Sequence, residues 1–170
     1  DKLRMSFWRY NNRVHGLASS GLAIRQQVSD ADLVIGAVLI PGAKAPKLVS
    51  NELVANMRPG SVLEDIAVDQ GGCFEDSHPT THAEPTFKVH QSIFYCVSNM
   101  PGAVPHTSTY ALTNATLPYA LALADHGWRA ACRRDQALTL GLNAHAGSLT
   151  NQAVGEAHGM KSVRPEEALA

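Results

Sequence analysis

The sequence predicts an α/β fold: a partial doubly wound parallel sheet followed by a helical C-terminal segment. Three observations predict it. Residues 33–40 form a continuous apolar run, rich in β-branched side chains and bounded by Asp32 and by Pro41-Gly42. Such a run is too short for a typical helix and lacks alternation, so it reads as a parallel strand buried on both faces. Residues 48–57 then follow helical spacing, and further apolar runs at 61–68 and 93–97 complete a strand–helix–strand order with short turns, the repeat of a doubly wound sheet. After Pro105 the pattern turns helical.

Each element has its own signal. Residues 1–13, mixed polar and aromatic, read as a short helix, 14–17 as a strand, and 21–28 as a helix ending near Ser29-Asp30. Within 48–57, Val49, Leu53, Val54 and Met57 share one helical face and Ser50 is placed to N-cap it. Pro59-Gly60 marks a turn. Residues 108–126 read as one long helix, bent by Pro118 and closed by Gly127. Residues 132–145 read as another helix, and the tail from 154 is weakly patterned. A domain boundary is expected near residue 105.

Composition narrows the function. With 170 residues, 45% hydrophobic and 17% charged, the chain is long enough for a real core, and disorder, collagen and coiled coil are excluded. A net charge of −1 offers no pull on a nucleic-acid backbone. The apolar run at 33–40 falls well short of the roughly 20 residues that span a membrane. Cys73, Cys96 and Cys132 form no CxxC pair, so neither a disulfide framework nor a zinc ribbon is indicated, and a reducing compartment is expected. The opening Asp1-Lys2-Leu3-Arg4 has no apolar segment of a signal peptide and no Met, as if the chain began part-way through a longer one.

In open α/β sheets, ligands bind beyond the carboxyl ends of the strands. Three such ends couple polar residues to Gly or Pro here: 38–44, 66–73 and 97–102. Asp69, ahead of Gly71-Gly72, is the most pointed. A carboxylate there serves as a general base or anchors a hydroxyl or ammonium group, or else caps a following helix. Asn99 suits a carboxamide or a substrate polar group, or else is a turn residue. Lys44 and Lys47 are within reason for phosphate, but read better as lysines facing water. His78, His82 and His90 share one segment, yet Pro79 and Pro85 make it a loop and no HExxH occurs, so no metal site is expected. His126 reads as a helix-end or solvent-facing residue, and Cys73 as a structural thiol.

Several long stretches together resemble the alanine dehydrogenase family (the alanine dehydrogenase and pyridine nucleotide transhydrogenase group). They are Ala31 to Leu48, with its Pro41-Gly42-Ala43-Lys44-Ala45-Pro46-Lys47-Leu48; Asp65-Ile66-Ala67-Val68-Asp69-Gln70-Gly71-Gly72-Cys73-Phe74-Glu75; Pro79-Thr80-Thr81-His82; Phe94 to Pro105; Thr107 to Thr116; and His126-Gly127-Trp128-Arg129-Ala130-Ala131-Cys132. The resemblance is strong over about 30–132 and covers the C-terminal part of the family's chain only. It implies that residues 1–105 are the C-terminal half of an NAD-binding Rossmann-type domain, and that 106–170 are a helical return segment belonging to the catalytic domain. The glycine-rich pyrophosphate loop and the N-terminal catalytic domain would precede Asp1. An apolar surface on 108–126 that needs a partner is therefore expected, with little or no turnover by these residues alone.

The activity implied is NAD-dependent reversible oxidative deamination of L-alanine to pyruvate and ammonia, in a cytoplasmic homo-oligomer, commonly a hexamer, with neither nucleic acid nor membrane as partner. Asp69 is then the active-site acid/base and Asn99 lies between nicotinamide and substrate. Val38, Leu39, Ile66, Ala67, Val68, Asp69, Val97, Ser98, Asn99 and Met100 line the cofactor, and Ser19 and Lys2 fall on the adenosine side. Three positions depart from the family. His78 replaces an arginine that suits a cofactor phosphate, Glu64 replaces an apolar residue in a buried strand, and Ala122 replaces a helical metal position, so no magnesium pair is carried over. Two other readings stay open: the nucleotide-binding subunit of a proton-translocating transhydrogenase, and a non-catalytic remnant of a dinucleotide fold. The 65–75 stretch favours alanine dehydrogenase over the transhydrogenase.

Overall fold

A computed structural model describes residues 2–11, 13–38, 40 and 44–169, with the side chains of Lys2, Leu3, Arg4 and Phe7 left aside. The chain divides into two compact units, one of residues 1–38 and 45–98, the other of 39–44 and 99–170.

The first unit opens with helix α1 (Lys2–Arg9) and helix α2 (Gly21–Asp30), the latter capped by the Ser20 hydroxyl, which accepts from Ala23 N. Strand β1 (Leu33–Gly36), helix α3 (Asn51–Ala55) and strand β2 (Val62–Asp65) follow, then strands β3 (Thr86–Val89) and β4 (Ser92–Tyr95). The sheet order is β1-β2-β4-β3, with β1, β2 and β4 parallel and β3 antiparallel at the edge. The expected α/β class with a parallel-dominated sheet is what the chain adopts.

One row of the sheet, Val34–Leu63–Phe94–Phe87 across the four strands, faces the core. There it meets Val28 of α2 and Val49, Leu53, Val54 and Met57 in and around α3. Those last four are the predicted helical face, and Ser50 caps α3 as predicted, its Oγ accepting from Leu53 N at 3.2 Å. Phe94 sits between two rings, edge-on to Phe74 at 5.9 Å and tilted against Phe87 at 5.3 Å.

Several expectations are corrected. The run 33–40 is not a strand buried on both faces. The strand ends at Gly36, and Leu33 and Ile35 are each 54% exposed on the face away from the core. Glu64 shares that face and is half-buried, so its charge is not stranded in the interior. The second strand stops at Asp65 rather than Val68, because the chain turns there to form a loop. Residues 14–17 form no strand and are exposed. The segment holding the three histidines is not all loop: β3 lies within it, and His78 stacks on Phe87 at 3.8 Å between ring centroids.

In the second unit, a 3-10 turn (Met100–Ala103) leads into helix α4 (Pro105–Arg134), which passes through Pro118 and breaks its helical geometry at Gly127, φ +71°. Gly127 thus ends a helical stretch where expected. Tyr110, Leu112, Leu117 and Leu121 are all exposed, the apolar surface anticipated on 108–126. The expected helix at 132–145 is instead the end of α4, helix α5 (Gln136–Gly141) capped by Asp135, and the short hairpin strand β5 (Ala144–His145), paired with β6 (Ser148–Leu149). The weakly patterned tail holds helices α6 (Gln152–His158) and α7 (Pro165–Leu169). Among the described residues no helix is long and apolar enough to cross a membrane.

Candidate functional site

The parallel register sets the site. Gly36 pairs with Asp65, and Glu64 with Tyr95, so the chain leaves three neighbouring strands on one side, through Val38, through 66–69 and through Val97-Ser98. Of these, Val97 bridges to Thr80, whose N–H donates to Cys96 O at 2.9 Å. This is the end of a parallel sheet where ligands bind.

After Asp65 the chain makes a 3-10 turn, Val68–Gln70, closed by Gly71 in the left-handed region at φ +94°. Gly72 follows at φ +75°, and a Cβ there would lie 2.7 Å from both Asp65 Oδ2 and Ser77 Cβ. Two consecutive left-handed residues with a carboxylate against the second demand glycine. Asp69 stands on this turn, exposed, and its side chain has no hydrogen bond or ion pair among the described residues. It caps no helix. Ile66 is 53% exposed beside it, while Ala67 and Val68 turn their side chains into the core. What Ala67, Val68 and the equally buried Val97 offer a ligand is therefore backbone.

Ser98 is exposed and Val38 partly buried against the core. Leu39 lies outside the described residues, as do Pro41, Gly42 and Ala43. In the second unit, the Asn99 side chain caps the turn that follows, its Oδ1 accepting from Gly102 N at 3.2 Å. Asn99 borders a largely apolar cleft of about 620 Å³ with Pro101, Pro105, Ser108 and Leu112. Met100 is half-buried. Ser19 is exposed immediately before the α2 cap, and Lys2 opens α1.

Two residues that organise this site escaped the sequence reading. Asp65 is completely buried. Its Oδ1 accepts from Ala67 N at 3.0 Å, and its Oδ2 from Cys73 N at 2.7 Å, Phe74 N at 3.4 Å and Ser77 Oγ at 2.5 Å. The available signal was an aspartate closing a strand two residues before the turn, the pattern of an Asx turn. Lys47, expected to face water, donates instead to Gly71 O at 2.5 Å and Phe74 O at 2.8 Å. Beside it, Ala45 N donates to Gln70 O and Leu48 N to Cys73 O.

The Cys73 thiol is pushed above its ordinary value by burial, with the Asp65 charge adding to the shift and a Val38 backbone contact opposing it. Burial likewise raises Cys96, against a contact from Ser77. Both are thiols rather than thiolates at neutral pH, which fits a structural role.

A family model described as "Alanine dehydrogenase/PNT, C-terminal domain" matches residues 3–152. The chain belongs to that family. It is 59% identical over all 170 residues to an alanine dehydrogenase of Mycobacterium tuberculosis, and covers 46% of that protein. Against the alanine dehydrogenase of Mycolicibacterium smegmatis, identity is 64% over 152 residues, or 89% of this chain and 41% of the relative. A solved L-alanine dehydrogenase superposes with a TM-score of 0.78 at 46% identity, over 99% of this chain and 44% of that one. The chain thus spans less than half the length of these alanine dehydrogenase family relatives, and corresponds to their C-terminal part.

Proposed function

We propose that the protein carrying these residues is an NAD-dependent alanine dehydrogenase, catalysing reversible oxidative deamination of L-alanine to pyruvate and ammonia as a cytoplasmic homohexamer. In this reading residues 1–105 belong to the nucleotide domain and 106–170 return to the catalytic domain. The observation that carries it is Asp69: an exposed carboxylate without a structural partner among the described residues, on a glycine-closed turn at the carboxyl end of the central parallel strand, in a chain of this family.

The residues suit a dinucleotide. Exposed Ile66 offers an apolar surface to a flat ring, and the buried Ala67, Val68 and Val97 bring backbone close; within the second unit, the Asn99 amide borders an apolar cleft of its own. A bound nicotinamide supplies the hydride acceptor. This chain supplies proton handling: deamination releases a proton at nitrogen and adds water at the former Cα, and the Asp69 carboxylate accepts and returns protons there. The apolar strand ends keep bulk water from the reacting carbon.

The test is Asp69→Asn in the full-length protein, followed by NADH formation with L-alanine. Turnover is expected to fall about 10²–10⁴-fold, the usual contribution of a positioned acid/base. Turnover equal to wild type removes Asp69 from the mechanism. NADH–NADP exchange without alanine-dependent NADH formation would replace this reading by transhydrogenation.

A further inference from the structure

We propose that Asp65 and Lys47 are positioning residues for Asp69: opposite charges that clasp the backbone of loop 66–77, one by its amides and the other by its carbonyls, and so help fix where the Asp69 carboxylate points. This rests on the reading of Asp69 as the acid/base.

The loop's backbone is held only in part by backbone. It contains two successive left-handed glycines; Gln70 N and Gly72 N donate to Ala67 O, Gly71 N to Val68 O and Ser77 N to Phe74 O, and residues 45–49 reach Gln70, Cys73 and Glu75, which leaves the amides of Ala67, Cys73 and Phe74 and the carbonyls of Gly71 and Phe74 to side chains. Asp65 takes up the N–H groups of Ala67, Cys73 and Phe74 together with the Ser77 hydroxyl. Lys47 takes up the carbonyls of Gly71 and Phe74. The pinned positions, 67 on one side and 71–74 on the other, flank Asp69. No described side chain holds the Asp69 carboxylate itself. Its direction is therefore inherited from the turn, which its own backbone bonds, the 45–48 segment and the two charged residues hold together. A displacement of about 1 Å is enough to cost a catalytic group roughly a hundredfold.

Asp65 is buried and Asp65→Asn places an NH2 group against backbone N–H donors, so that variant is accompanied by two gentler ones, Ser77→Ala and Lys47→Gln, the latter at an exposed position. Each is made in the full-length protein, melted to confirm folding, and assayed for alanine-dependent NADH formation well below its melting temperature. Expected are losses of about 100-fold in kcat for Asp65→Asn and about 5–10-fold for the other two. In an Asp69→Asn background the same substitutions should change residual turnover less than about 2-fold, because misplacing an absent carboxylate costs nothing further. Hydrogen exchange of the 66–77 peptide should quicken at least about tenfold while strands β2 and β4 stay protected.

Equal fold-losses in both backgrounds, or wild-type kcat in the folded Ser77→Ala and Lys47→Gln proteins, overturn the proposal. Where Asp69→Asn leaves no measurable residual, loop exchange decides: lowered kcat with unchanged loop exchange also overturns it. Failure of the functional reading looks different, since there Asp69→Asn alone leaves turnover intact.

Discussion

Gly72→Ala separates two reasons for a glycine. Gly72 and Gly60 both have positive φ, +75° and +83°. An alanine at either adopts the left-handed conformation at a cost of roughly 1–2 kcal/mol. At Gly60 nothing lies within 4 Å of the added Cβ, so the cost ends there. At Gly72 the Cβ would sit 2.7 Å from Asp65 Oδ2 and 2.7 Å from Ser77 Cβ, distances real Cβ atoms do not tolerate. The Asp65 carboxylate is completely buried with four donors around it, so it has nowhere to retreat without surrendering a charge-assisted bond, about 1.5–3 kcal/mol. Gly72→Ala is therefore expected to destabilise by roughly 3–5 kcal/mol. With a urea slope of about 1–3 kcal/mol per M, its midpoint should fall about 1 M below that of Gly60→Ala. Urea unfolding of both variants, followed by circular dichroism, reads this directly. Coincident midpoints would show that backbone conformation alone governs Gly72 and that the Asp65 contact is slack.

Other outcomes follow from the same geometry. Ser50→Ala removes the hydroxyl that accepts from Leu53 N at the start of α3 and should cost about 1 kcal/mol in urea unfolding, with no change in the spectrum of the native state. Because burial raises Cys73 and Cys96 above their ordinary 9.0 in the folded protein, the unfolded chain loses these protons first. Their contribution to stability is complete below pH 9 and declines as pH rises from 9 through the folded values, by at most about 1.4 kcal/mol per pH unit per thiol. Unfolding free energies at pH 8, 9 and 10 should show that decline, and Cys96→Ala should flatten it.

Local signals in the sequence were legible where one residue decides one outcome. Ser50 capped its helix, and Val49, Leu53, Val54 and Met57 went to the core, because helical spacing fixes which side chains share a face. The run at 33–40 misled because apolar continuity does not say what covers each face. Its Leu33 and Ile35 are exposed in this chain. Strand β3 went unseen because Thr86-Phe87-Lys88-Val89 is a short alternation between Pro85 and a left-handed His90. At the strand ends, the exposed place of Asp69 on a turn was legible from the two glycines that follow it. Asp65 and Lys47 were not, since their roles depend on carbonyls and amides that converge only once Gly71 and Gly72 have turned the chain.

The strand ends divide into side chains that are committed and side chains that are available. Ala67, Val68 and Val97 are sealed into the interior, so drift at those positions is bounded by packing whatever the ligand. Ile66, Asp69 and Ser98 project outward, and exchanging them disturbs little of the scaffold. The scaffold therefore leaves those outward positions free to vary, while packing confines the committed ones.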